Sequence, residues 1–177
     1  AAADWLSWRR TTNGWGYSPL EQINRTNVAR LQEVWSREMG AGRQEATPLV
    51  YQGTMYLPHP SDVIQALDAA TGSVRWEYRR ALPADMQRAN EANRNITIYG
   101  STIIDTSSDN QVFALDAATG RLAWETRIYD HTKPATASGG PIIANGKVIA
   151  GRNCLPDAGA DGCIITAHDA RTGRELW

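Results

Sequence analysis

Two cysteines, Cys154 and Cys163, stand nine positions apart across Leu155-Pro156-Asp157-Ala158-Gly159-Ala160-Asp161-Gly162. The spacing is not Cys-x-x-Cys, and no second pair exists to complete a zinc site. In an oxidising compartment a bridge would close a loop of about ten residues and contribute roughly 2.5–3 kcal/mol by restricting the unfolded chain. We expect that disulfide; two buried thiols are the alternative. His59, His131 and His168 show no metal-ligand spacing. Glu45, just ahead of Thr47-Pro48, reads locally as a solvated loop carboxylate. Arg94, within Glu91-Ala92-Asn93-Arg94-Asn95, reads as an exposed charge, and Ser138 as the start of a turn before Gly139-Gly140. Any chemistry these residues perform depends on the elements that gather them.

Those elements repeat. Ala66 to Trp76 (ALDAATGSVRW), Ala114 to Trp124 (ALDAATGRLAW) and Ala167 to Trp177 (AHDARTGRELW) nearly superimpose, with the tryptophans 48 and then 53 residues apart. In each copy the Asp closes an apolar strand, where its carboxylate can accept turn amides two or three residues on. The Gly supplies the positive φ that lets the chain reverse. The Trp then has a ring large enough to wedge against a neighbouring repeat. This use explains a composition of 7 Trp against 1 Phe. Trp35, without the Asp-x-x-Thr-Gly element, reads as a degenerate first copy. His168 stands where the other copies have Leu, which predicts a packed strand residue. Further strand-turn signals lie at Pro48 to Leu57, at Ile96 to Ile104 around Gly100, and at Pro141 to Ala150 around Asn145-Gly146. About four short strands per period make one propeller blade, so the fold class is all-β, a β-propeller, with a β-solenoid second.

Ser18-Pro19-Leu20-Glu21 has a capping-box layout, and Leu20, Ile23, Asn27, Leu31 and Trp35 fall near helical spacing. The sequence therefore predicts a lead-in over 1–40 with short helical turns packing on about three blades over 41–177. Propellers close with about four to eight blades, so the chain reads as the front part of a longer protein, the alternative being blades supplied by another chain. Net charge is −1, from 18 Lys+Arg against 19 Asp+Glu, which leaves no basic footprint for nucleic acid or acidic lipid. No run approaches the roughly 18 apolar residues that span a bilayer. No leader precedes Ala1, as in a mature, trimmed or cytosolic chain.

Taken together, Tyr17-Ser18-Pro19-Leu20, Gln44-Glu45-Ala46-Thr47-Pro48, Asn93-Arg94, Ser138-Gly139-Gly140-Pro141 and the three Trp motifs resemble the start of a quinoprotein alcohol dehydrogenase. These are periplasmic eight-bladed propellers that carry pyrroloquinoline quinone (PQQ) and usually calcium. Gly162 to Asp169 looks closer to the sorbose, sugar and polyol members than to methanol dehydrogenase. PQQ is a flat ortho-quinone with three carboxylates, suited to a planar cation, rim donors and a polarising metal. The resemblance implies that Glu45, Arg94 and Ser138 touch the cofactor, Arg94 near the quinone and Glu45 near a carboxylate. It places Asn153 and Cys154 at the segment lining it, with Asp157 the nearest acidic candidate for calcium. Adjacent cysteines that many members carry before the arginine are replaced by Arg88 and Ala89. The catalytic base is expected beyond residue 177, so this chain alone is expected to be inactive. The implied reaction is oxidation of an alcohol, sugar or polyol by hydride transfer to PQQ, with cytochrome c or a quinone as electron acceptor. A non-enzymatic propeller scaffold of the outer-membrane assembly type, which shares the repeat, is the competing reading.

Overall fold

The computed structural model describes residues 4–11, 13–86, 92–137, 139–153 and 155–177. Three antiparallel sheets follow one another along the chain. The first is β1 (Leu49–Tyr51), β2 (Thr54–His59), β3 (Val63–Asp68) and β4 (Val74–Arg79), paired in that order. The second repeats it with β5 (Thr97–Tyr99), β6 (Thr102–Thr106), β7 (Gln111–Asp116) and β8 (Leu122–Arg127). The third holds β9 (Ile142–Ala144), β10 (Lys147–Ala150) and β11 (Thr166–Asp169). Bonds from Ala167 N to the Trp177 carbonyl and from Leu176 N to the Ala167 carbonyl, both 2.8 Å, with an isolated bridge from His168 to Glu175, pair residues 175–177 with β11. These are propeller blades; a solenoid would stack parallel coils instead. Asn145 and Gly146, at φ 48° and 72°, close β9 onto β10 in the left-handed geometry that Asn-Gly favours.

Each Asp-x-x-Thr-Gly turn does what its residues suggest. Asp68 Oδ1 accepts the amides of Ala70 and Thr71, both at 3.0 Å, and the Thr71 hydroxyl at 3.1 Å. Asp116 and Asp169 repeat the arrangement with Thr119 and Thr172. The Arg75 guanidinium and then the Thr71 donors pull the Asp68 carboxyl down to about 2. Blade contacts run through the tryptophans. A Cβ on Gly72 would lie 2.7 Å from the Trp35 ring, and one on Gly120 would lie 2.6 Å from Trp76. Trp35 Nε1 donates to the Ala69 carbonyl at 3.3 Å and Trp76 Nε1 to the Ala117 carbonyl at 3.0 Å. Trp35 thus docks as the later tryptophans do, in keeping with a degenerate copy of the motif. Trp124 packs on Gly173 in the same way, while Thr126 Oγ1 donates to the Gly173 carbonyl at 2.8 Å.

Period-two alternation divides the core between these seams. Leu49, Tyr56, Ile64 and Ala66 meet Ile96, Ile103, Phe113 and Leu115 between the first two blades. Ile104, Val112 and Ala114 turn the other way, onto Val148, Ala150 and Ala170 of the third blade. Full burial of a side chain such as Phe113 stabilises by about 1.5–3 kcal/mol.

The lead-in carries one short helical turn, and the rest of the helical spacing from Leu20 to Trp35 forms no helix. Among its described residues the only helical turn is the 3-10 segment Val28–Arg30, and Trp35 lies outside it in irregular chain. Two asparagines explain this. Asn24 Oδ1 accepts Thr26 N at 3.0 Å and Asn27 Oδ1 accepts Asn24 N at 2.8 Å, so their side chains offer the backbone a local alternative to helix. Leu20, Ile23 and Leu31 are all exposed, so no buried face holds a helix there. The segment is instead pinned through Trp35 and through Trp5, whose N–H donates to the Val50 carbonyl at 2.7 Å.

Candidate functional site

The segments before the first strands of consecutive blades meet at one end of the sheets. Arg94 Nε donates to Glu45 Oε2 at 2.9 Å, joining two residues separated by 49 positions. Both are about 40% exposed (45% and 38%), so the pair faces solvent and contributes at most about 1 kcal/mol to stability. Its position is fixed by backbone. Thr47 bridges Asn95 in parallel, and Thr47 N donates to the Arg94 carbonyl at 3.2 Å. Gly140 presses against Asn95 so closely that a Cβ would overlap its carbonyl oxygen. Further round, Asn153 N donates to the Thr136 carbonyl at 2.7 Å, and Asn153 Nδ2 reaches Thr136 Oγ1 at 3.5 Å. These contacts form two local groups, Glu45 and Arg94 with Gly140 against Asn95, and Asn153 on Thr136. The first group offers a planar cation beside a carboxylate, and the cation is a donor suited to an anionic, carbonyl-bearing ligand.

The first two blades also hold a buried polar layer. Arg80 is held by Asp109 through two bonds, Nε to Oδ1 at 2.6 Å and Nη2 to Oδ2 at 2.9 Å, and its Nη1 reaches Glu125 at 3.0 Å. Burial alone would raise the Asp109 carboxyl, but hydrogen bonds from Arg80 and Ser107 outweigh it and hold the group below its usual range. Asp62, at the β2–β3 turn, accepts Ser108 N, and burial pushes its carboxyl up. Asn110 Nδ2 donates to the Ala135 carbonyl at 2.8 Å, tying this layer to the segment leading towards Gly139-Gly140. Asp105, at the end of β6, accepts Asn93 Nδ2 at 2.6 Å and Thr106 N at 2.7 Å. Desolvation drives its carboxyl well above the usual range, against the Asn93 bond and with repulsion from Asp62.

Of the residues the sequence singles out, the structure pairs Glu45 with Arg94 and sets Asn153 on Thr136. Ser138 and Cys154 lie outside the described residues, as do Arg88 and Ala89. Asp157 is exposed in the turn after Leu155. Among the described residues no three His, Cys, Asp or Glu side chains converge as a metal-binding group. His168 is fully buried, with Nδ1 3.1 Å from the Gly173 carbonyl and Nε2 3.0 Å from Thr166 Oγ1, a packed strand residue. His59 meets Gln65 and His131 meets Asp85. Asp105 is the residue that sequence reasoning passed over, and Asn93, read there only as part of the Asn93-Arg94 element, is its partner. The available signal was a lone carboxylate after Thr102-Ile103-Ile104 in an apolar strand. The Glu45–Arg94 pairing also had a signal in the repeat phase: they lie 31 and 30 residues before Trp76 and Trp124.

Residues 5–177 match the family model described as PQQ: glucose/ethanol/alcohol dehydrogenase, beta-propeller domain. The chain is 39% identical to the quinohemoprotein alcohol dehydrogenase ADH-IIG of Pseudomonas putida, over 98% of this chain and 25% of that protein. It is 34% identical to the 1-butanol dehydrogenase (cytochrome c) of Thauera butanivorans, over 96% of this chain and 25% of that one. Its structure matches a europium-containing methanol dehydrogenase with a TM-score of 0.86 at 29% identity, covering 100% of this chain and 32% of that one. BamB from Moraxella catarrhalis shares the fold at a TM-score of 0.55 and 17% identity, covering 77% of this chain and 52% of its own. The chain spans about a quarter of the length of the curated relatives it matches.

Proposed function

Because the chain belongs to the PQQ-dependent alcohol dehydrogenase β-propeller family, we propose that it supplies one wall of a PQQ site in a protein that oxidises an alcohol. The observation that carries this reading is the Glu45–Arg94 pair, held by the Thr47–Asn95 bridge. These residues fit the cofactor's chemistry. Arg94 offers a planar, permanently charged donor to a carboxylate or quinone oxygen. Glu45 holds the Nε edge of that guanidinium and so orients it. In this reading Ser138 and Asn153 add a hydroxyl and an amide to the cofactor site, and Cys154 belongs to the same lining. When bound, PQQ supplies the quinone that takes the hydride an alcohol carbon loses on becoming a carbonyl. This chain's own part is to bind and orient.

The metal is a separate matter. Ca²⁺ takes six to eight oxygens, and Asp157 alone among the described residues does not provide them. In this reading Asp157 gives a calcium or lanthanide ion at most one carboxylate. Among the described residues no helix is long and apolar enough to cross a membrane. A periplasmic location, with cytochrome c or a quinone as electron acceptor, follows from the reading.

The test is reconstitution of the protein that carries this chain with PQQ and Ca²⁺, and separately with a lanthanide, against alcohols, sugars and polyols. PQQ-dependent dye reduction supports the reading, and the panel separates alcohols from sugars. Neither cofactor-dependent absorbance nor dye reduction would replace it with the protein-binding scaffold.

A further inference from the structure

Asp105 is out of pattern. The registers Thr54↔Asp68, Thr102↔Asp116 and Lys147↔Asp169 align the second strands of the three blades. Position 105 therefore corresponds to Leu57 and Ala150, and the other two blades fill it with apolar side chains. A carboxyl group that is 1% exposed is costly to bury where a Leu or Ala would pack. Its two oxygens are both engaged, Oδ1 by Thr106 N and Oδ2 by Asn93 Nδ2. The first bond fixes the carboxyl on its own strand; the second reaches out to the buried side chain immediately preceding Arg94.

We propose that Asp105 is a positioning residue for Arg94, acting through Asn93: it anchors the backbone at 93–95 and so sets where the guanidinium meets the cofactor. The inference rests on the reading of Arg94 as a cofactor contact. The anchor complements the Thr47–Asn95 bridge, so the short segment is held from the neighbouring blade on one side and from its own blade on the other. Without the Asp105 oxygen, the Asn93 amide would be left buried and unpaired, and the segment would shift to resolve it.

The test is a double-mutant cycle read as PQQ affinity, by quenching of tryptophan fluorescence in the apo form of the protein that carries this chain. Unfolding midpoints are measured on the same samples. Asp105→Ala should weaken PQQ binding about tenfold, and less than twofold when Arg94 is already Ala, because contacts that act through one group are not additive. Asn93→Ala cuts the same bond from the loop side and should behave alike, which keeps the test open if Asp105→Ala does not fold. An equal loss in both backgrounds, or no loss in either, overturns the proposal. An unchanged affinity for Arg94→Ala by itself removes instead the cofactor assignment beneath it.

Discussion

Replacing Gly120 by Ala isolates the contact that joins the first two blades. Gly120 sits at φ 71°, where an L-residue costs about 1–2 kcal/mol. The new Cβ would lie 2.6 Å from Trp76 Cε3 and 2.7 Å from Cδ2, well inside the ordinary contact distance of about 3.5–4.0 Å. The indole must withdraw, at an overpacking cost of about 1–3 kcal/mol. That movement also stretches the 3.0 Å bond from Trp76 Nε1 to the Ala117 carbonyl, worth about 0.5–1.5 kcal/mol. Gly53 is the matched control, because its φ is 74° and a Cβ there meets nothing within 4 Å. Urea unfolding should therefore place Gly120→Ala about 2–4 kcal/mol below Gly53→Ala, with unchanged slopes. Equal losses would show that the backbone alone requires glycine, and the docking account would fall.

Three further outcomes concern a buried ion pair, a buried histidine and the two cysteines. Asp109→Ala strips Arg80 of its bidentate partner, both side chains being under 10% exposed (6% and 9%), and should cost about 3 kcal/mol in the same unfolding assay. His168 is held below its usual range by burial, with the Gly173 carbonyl acting in the opposite sense. The unfolded chain then binds more protons below about pH 6.5, so stability falls as pH drops through that value. His168→Leu should flatten the decline in melting temperature between about pH 6.5 and 5, leaving the share due to His59, whose burial lowers it too. Denatured, unreduced protein should yield no free thiols; two would refute the Cys154–Cys163 bridge.

The blade architecture was legible because its determinants are local. An Asp that caps its own turn, a Gly at positive φ and an Asn-Gly hairpin all act within a few residues, and the 48-residue repeat then implies neighbours. The lead-in holds one short turn and no more for a related reason: helical spacing from Leu20 to Trp35 counts apolar positions without asking whether anything buries them. Asn24 and Asn27 offered a local warning. The candidate site was legible only in part. Glu45 and Arg94 look like solvated charges until the blades bring their segments together. The Asp105–Asn93 bond was out of reach because burial of a polar side chain is decided by its neighbours on other strands.

The central claim is that the Glu45–Arg94 pair holds PQQ. A crystal structure of the protein that carries this chain, grown with PQQ, tests it most directly. The account predicts density for a planar tricyclic quinone with an oxygen within about 3.2 Å of the Arg94 guanidinium. Well-ordered PQQ bound elsewhere, with the Glu45–Arg94 pair untouched, would contradict it.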